Sequence, residues 1–406
     1  MFIKSYKYYL KIYRDLPEFD KGLGFFFIPA VIFFLIVGVL LLPVICLKGN
    51  WLFGARFVNN NKVIEFIFGP THHKISSQLK LVGTNKFYFN INDNNSNLKP
   101  VINDRKLFII STVYGLETAF LLIKSIRNVR IKRNSVRLIK IVALAKFAKH
   151  QFKGHKVFVQ YNDHIPYNLM LQELARKMDL KTVYIQHAPV SFRFPPLYHD
   201  LNVLFSNDSL TKYRFITDNK FDINKCLVLY DIRFPSKDNL NLSNPEYTLL
   251  CFNKLDDITE IDKAVTELIN NNVKVRIRPH PEDYRKFNFS SETEISKGKT
   301  IWEDLASAHS VIVNESAVPL EALYCDVPVY KLSSLSLSIR DNYGFLKTGL
   351  LQKEYFSIEE LLPDLLNKKN VCDQNKLDYF LGNIYNKNEI RIKLDSTIKS
   401  LLTQNN

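Results

Sequence analysis

Residues 273–331 read VKVRIRPHPEDYRKFNFSSETEISKGKTIWEDLASAHSVIVNESAVPLEALYCDVPVYK, and the order of runs in this stretch decides the fold class. The run from Val273 to Ile277 is β-type and stops at Pro279. A polar region leads to a helical stretch around Ile301 to Ala308. A second apolar run, Ser310 to Val313, ends in Asn314-Glu315-Ser316, and a helix and a short strand from Pro328 to Leu332 follow. Strands alternating with helices predict βαβ units and a parallel sheet. Such sheets bind ligands beyond the carboxyl ends of their strands. Arg278-Pro279-His280-Pro281 and Asn314-Glu315-Ser316-Ala317 both follow directly on strands. That sets them side by side at one mouth, a seat for a nucleotide phosphate.

The same alternation extends outward. Apolar β-type runs stand at Val63 to Phe68, Leu107 to Val113, Val157 to Gln160, Thr182 to Ile185, Val203 to Phe205 and Leu227 to Leu229. A polar linker, Pro235 to Pro245, precedes the next strand at Tyr247 to Phe252. The expected architecture is α/β, with Rossmann-like domains over 57–235 and 246–400 facing a central cleft, a natural place for a ligand.

Two further segments bear on partners. Residues 1–21 are polar and aromatic, and residues 22–47 carry no charge. About 20 apolar residues suffice to cross a bilayer as a helix, so 22–47 reads as a membrane segment. Basic residues flank both of its ends, which one span cannot reconcile with the positive-inside rule. A single pass, a re-entrant hairpin broken near Gly38 or Pro43, and a helix lying in the interface all stay open. Between residues 118 and 156 eleven Lys and Arg residues recur among apolar ones with no Asp or Glu, as in a helix that meets anionic lipid. The net charge of +15 points the same way, to anionic membranes and nucleotide phosphates. No motif for nucleic acid accompanies it, and nucleic acid is not an expected partner. The five cysteines are scattered, without CxxC spacing, and form no zinc site.

The residues that can carry chemistry sit at strand ends. Arg276, Arg278 and His280 alternate, so they share one side of their strand, and guanidinium and imidazole donors suit phosphate. The competing reading pairs the arginines with acids such as Glu282 and Asp283. Ser316 stands where a helix should begin, as a cap or as part of an anion site with Asn314 and Ala317. Glu321, further along that helix, would repel phosphate and is better suited to ribose hydroxyls. His187 and Asp163 end two strands of the first half, and either can serve as base to an acceptor hydroxyl. The adjacent His72 and His73 read as solvated. A site that stabilises leaving phosphate with protein donors needs no metal or other cofactor.

These pieces together resemble a known group. Tyr184-Ile185-Gln186-His187-Ala188, Asp200 to Asp208, Arg278-Pro279-His280-Pro281, Asn314-Glu315-Ser316 with Glu321-Ala322, and Asp326-Val327-Pro328 are similar to elements of GT-B-fold enzymes of bacterial surface polysaccharide synthesis. That group comprises capsule Kdo transferases, sialyl- and polysialyltransferases, and CDP-glycerol glycerophosphotransferases. The resemblance covers roughly residues 155–335. It implies that His280 and Ser316 contact the donor's phosphate, that Glu321 holds the ribose, and that His187 is a catalytic or binding histidine. It implies a metal-independent transferase, CMP-sugar favoured, acting on a surface glycan or lipid-linked acceptor at the cytoplasmic face of the bacterial inner membrane. A CDP-glycerol-type polyol-phosphate transferase, a nucleotide-sugar epimerase and a non-catalytic tethered binding protein are the alternatives. Ala188 stands where that group has glycine, Asn314-Glu315-Ser316 replaces its paired serines, and its acidic-Asp-Gly base motif is missing.

Overall fold

The computed structural model describes residues 27–40 and 61–403, apart from 69, 82, 90–103, 125–134, 163–165, 193, 195, 218–220, 241–243, 282, 284, 288, 290–292, 299, 337–340, 368–372 and 383–386. Two six-stranded sheets, parallel throughout, form its two halves. The first comprises β1 (Val63–Phe68), β2 (Thr84–Phe89), β3 (Val157–Gln160), β4 (Lys181–Ile185), β5 (Leu201–Leu204) and β6 (Cys226–Val228), in the order β2-β1-β3-β4-β5-β6. The second comprises β7 (Tyr247–Phe252), β8 (Val275–Pro279), β9 (Glu294–Ile295), β10 (Ala308–Val313), β11 (Val329–Leu332) and β12 (Glu354–Tyr355). Its order, β12-β11-β10-β7-β8-β9, is the nucleotide-binding order with strand succession reversing between β7 and β10. The two Rossmann-like halves expected from the sequence are therefore present.

Parallel strands are covered on both faces, which is why they read as near-continuous apolar runs. In β1, Val63 and Ile67 face one core while Ile64 and Phe66 face another. The second core lies under a layer of helices: α1 (Phe27–Leu40), then α2 (Pro70–Leu79) on the other face after β1, then α3 (Asp104–Val113), α4 (Gly115–Lys124) and α5 (Ser135–Phe152) back in the layer. After β3 comes α6 (Pro166–Lys177), and after β5 comes α7 (Asn207–Ile216). In the second half α8 (Ile258–Asn270), α9 (Ile301–Leu305), α10 (Val318–Tyr324), α11 (Ile358–Leu366), α12 (Gln374–Leu381) and α13 (Lys387–Thr403) follow.

One expectation changes. The run from Leu107 to Val113 is helical, not a strand. Leu107, Ile110 and Val113 are buried at a helical spacing, while Phe108 and Ile109 between them are exposed. Apolar residues on both the inner and outer faces of a helix imitate the unbroken run of a buried strand. The apolar segment 22–47 is described only over α1, which packs against α4 and sends Phe34 into the core. Among the described residues no helix is long and apolar enough to cross a membrane.

The halves are joined twice. The linker after β6 is one connection. The other is the chain's return, in which α12 packs on α7 and the Asp231 N–H donates to the Leu381 carbonyl at 3.0 Å. Gly382 makes that return possible: its φ is +83°, and a Cβ there would stand 2.8 Å from the Leu229 carbonyl oxygen. Ile390, Leu394, Ile398 and Leu401 of α13 then join the core that contains Val63, Ile67 and Leu79. Lys212 of α7 adds a polar tie. Its ammonium donates to Asp208 Oδ2 at 2.6 Å and to the Tyr343 carbonyl, across in the second half, at 2.6 Å.

Candidate active site

The exits of β7 and β10 are stitched together by side chains. Asn253, after β7, donates from Nδ2 to the Glu315 carbonyl at 2.9 Å, and Asn314 donates to Asp256 Oδ1 at 2.9 Å. Burial pushes Asp256 up to about 6, even with Asn314 and Arg285 beside it. The Glu315 carboxylate is committed internally, accepting from buried Lys331 at 2.8 Å and from the Asn342 N–H at 3.1 Å. These bonds fix the turn, leaving Ser316 and Ala317 half-buried at the mouth. The Ser316 hydroxyl accepts from the Val318 N–H at 3.2 Å. The backbone places the cap of the seven-residue α10 at Ala317, one residue later than the sequence suggests.

His280 lies on the other side of β7. Its N–H donates to the Phe252 carbonyl at 2.8 Å and its side chain is exposed. β8 and β10 flank β7, so His280 and the Ser316 turn leave strands separated by two spacings, roughly 9–10 Å. Arg278 does not share this mouth as expected. Its guanidinium is ion-paired with buried Asp304 and donates to Ser296 Oγ at 3.0 Å and the Gly298 carbonyl at 3.1 Å. Arg276 pairs with Glu294 at 2.7 Å and covers the Tyr247 ring. Both arginines are on one side, as the alternation requires, but their acids are Glu294 and Asp304; Asp283 pairs with Arg285, and Glu282 lies outside the described residues.

In the first half the strand succession reverses between β1 and β3. His72 stands in the first turn of α2, directly after β1. It is 4% exposed, not solvated, and its Nδ1 accepts from the Phe68 N–H at 3.2 Å. Its ring meets that of His187, after β4, edge to face with centroids 5.1 Å apart. Asn162, after β3, places its Nδ2 3.2 Å from His187 Nε2. Asp163 and His164 lie outside the described residues.

Arg233, just past β6, ties these groups to the other half. It is ion-paired with buried Asp231 and donates from NH1 to the His187 carbonyl at 3.0 Å. Burial opposes its charge, but the Asp231 carboxylate overrides that and holds the guanidinium charged. Arg233 lies within electrostatic reach of Glu321 on α10, as do Asp231 and Lys74. Lys74 is exposed, yet the protein around it and Arg233 lower its pKa. Arg233 and Lys74 of one half thus come within electrostatic reach of Glu321 of the other, and Arg233 also holds the His187 carbonyl. A cavity of about 950 Å³ beside the linker, lined by Tyr230, Phe234, Tyr324 and Lys387, includes none of His187, His280, Ser316 or Glu321. Among the described residues no three His, Cys, Asp or Glu side chains are grouped to hold a metal ion.

Sequence reasoning missed Arg233, Asp231, Lys74 and the burial of His72. The one available signal was position: each follows a strand end, where ligand-facing residues concentrate.

Burial pushes the Glu321 carboxyl up to about 7, against the pull of Arg233. Its folded pKa is raised above the ordinary 4.5, so its contribution to stability is complete below that value and is lost as pH rises through about 7. The gap corresponds to about 3 kcal/mol. Glu321→Gln keeps the neutral shape. It is expected to melt with the wild type at pH 5 and several degrees above it at pH 8. Equal melting temperatures in both buffers would show a carboxylate that ionises freely.

No protein-family model matches the chain, and no curated protein matches it. Among solved structures, the wall teichoic acid polymerase TagF aligns at 12% identity and TM-score 0.46, covering 85% of this chain and 90% of that one. UDP-N-acetylglucosamine 2-epimerase from Rickettsia bellii aligns at 12% identity and TM-score 0.49, covering 84% and 96%. A glycotransferase of kitacinnamycin aligns at 11% identity and TM-score 0.49, covering 84% and 100%.

Proposed function

We propose that the protein is a GT-B-type glycosyltransferase that moves a sugar from a nucleotide-activated donor, a CMP-sugar by preference, to a surface glycan or lipid-linked acceptor at the cytoplasmic face of a membrane. The observation that supports the reading is Arg233, which holds the His187 carbonyl in one parallel half and lies within electrostatic reach of Glu321 on the helix that follows the Ser316 turn of the other. Donor phosphate sits between His280 and the turn from Asn314 to Ala317, and Glu321 accepts from ribose hydroxyls. His187 takes the proton of the acceptor hydroxyl as its oxygen bonds to the anomeric carbon. The bond from that carbon to the phosphate oxygen breaks, and its electron pair leaves on the phosphate, where His280 and the Ser316 turn offset the charge.

The test is incubation of detergent-purified protein with CMP-, CDP-, UDP- and GDP-activated donors and a glycan acceptor. The expected result is donor-dependent extension of the acceptor with release of CMP. Conversion of free nucleotide sugar without acceptor would make the protein an epimerase. Transfer of glycerol phosphate would make it a polyol-phosphate transferase. Silence with every donor would leave a binding protein.

A further inference from the structure

The helical layer outside the first sheet ends in an apolar surface. α1 turns Phe34 inward, while Ile32, Phe33, Ile36 and Leu40 face solvent, the last two 56% and 69% exposed. Phe108 and Ile109 of α3 are 51% and 44% exposed. The rings of Phe33 and Phe108 stack with centroids 6.5 Å apart, so the patch runs continuously across two helices. Single exposed apolar side chains are ordinary, but a continuous patch marks a surface that meets a partner or another phase.

We infer that this face docks in plane on acidic phospholipid, with α1 and α3 immersed in the outer part of one leaflet. The charge of the same helical layer selects this occupant. α5 carries Lys146, 4.6 Å from the centroid of the Tyr114 ring, and exposed Lys149, and the sequence holds no Asp or Glu from 118 to 156. A second copy would set two such basic runs against each other. An acidic leaflet satisfies the apolar face and the basic charge of its layer together. In-plane docking is also what α1's packing allows: its Phe34 side belongs to the protein core, and only the opposite side is open to lipid. Docking deepens the proposed function by naming where a lipid-linked acceptor is met, and it rests on that reading for this consequence alone.

The test is flotation of the full chain with vesicles of phosphatidylcholine, with and without a minority of phosphatidylglycerol. Acidic vesicles are expected to carry the protein upward, and neutral vesicles to capture about tenfold less. Phe33→Glu combined with Phe108→Glu is expected to reduce capture by acidic vesicles at least about tenfold. Leu40→Glu, at the most exposed position, repeats the test with little risk to the core. Wild-type protein left behind by acidic vesicles overturns the inference, and so do variants that float as it does. A dimer dissociated by the same substitutions, without vesicle capture, would give the face to a second copy and overturn it equally. Nucleotide binding in solution reads the cleft separately: its loss with vesicle capture intact counts against the transferase reading alone.

Discussion

Alanine at His187 is expected to lower transfer at saturating donor by about 10²–10⁴-fold, the range for a lost general base, with donor affinity little changed. Asn162 meets the ring at Nε2, the His72 ring packs edge to face with it, and Arg233 holds the residue's main-chain carbonyl. Such restraint fits a group that must meet one hydroxyl in one orientation. His280→Ala probes the other side of the reaction. His280 is exposed, and its N–H bond to the Phe252 carbonyl does not depend on the side chain, so the substitution is expected to leave the strand exit in place. It should remove a phosphate contact made by donor and leaving group alike, raising the donor KM and abolishing measurable turnover at ordinary donor concentrations. Steady-state kinetics against donor concentration separates the two. Full activity in His280→Ala would remove the donor site; a His187→Ala defect confined to KM would make that histidine a binding residue.

Lys212→Met is expected to cost about 3–5 kcal/mol, because it strands a carboxylate in the interior. The Lys212 and Asp208 side chains are 1% and 4% exposed. Burial pushes Asp208 up to about 6 even beside its partner, and burial lowers Lys212 despite the attraction of Asp208. The ammonium also holds the Tyr343 carbonyl and sits 5.5 Å from the centroid of Phe380, so its loss loosens the contact between halves. Adding Asp208→Leu to Lys212→Met should recover most of the loss, since a buried pair replaced whole by apolar groups is often neutral. Urea unfolding of both variants decides it; a single variant as stable as wild type would mean that water already reaches the pair.

Most strands were legible because parallel strands are apolar on both faces and end abruptly in polar residues; Thr84–Phe89, which alternates buried and half-buried residues, and the two-residue Glu294–Ile295 and Glu354–Tyr355 were not. The same property misled at Leu107 to Val113, where the outward Phe108 and Ile109 masked a helical period. The positions of His280 after a strand, and of Ser316 and Glu321 at and within the next helix, were legible from the order of runs. Arg233 was not: it meets a carbonyl 46 residues away, and nothing local announces that contact. Arg278 was misjudged for the same reason, since the acid that takes it, Asp304, lies 26 residues on.

The chain's double passage between halves decides how the cleft can move. A protein whose lobes share one tether can twist freely about it. Here the returning chain, where Gly382 slips past the ends of β5 and β6, packs α12 both on α7 of the first lobe and on α10 of the second. A second crossing opposes torsion as a single tether does not, and it narrows the ways in which Arg233 and Glu321 can part.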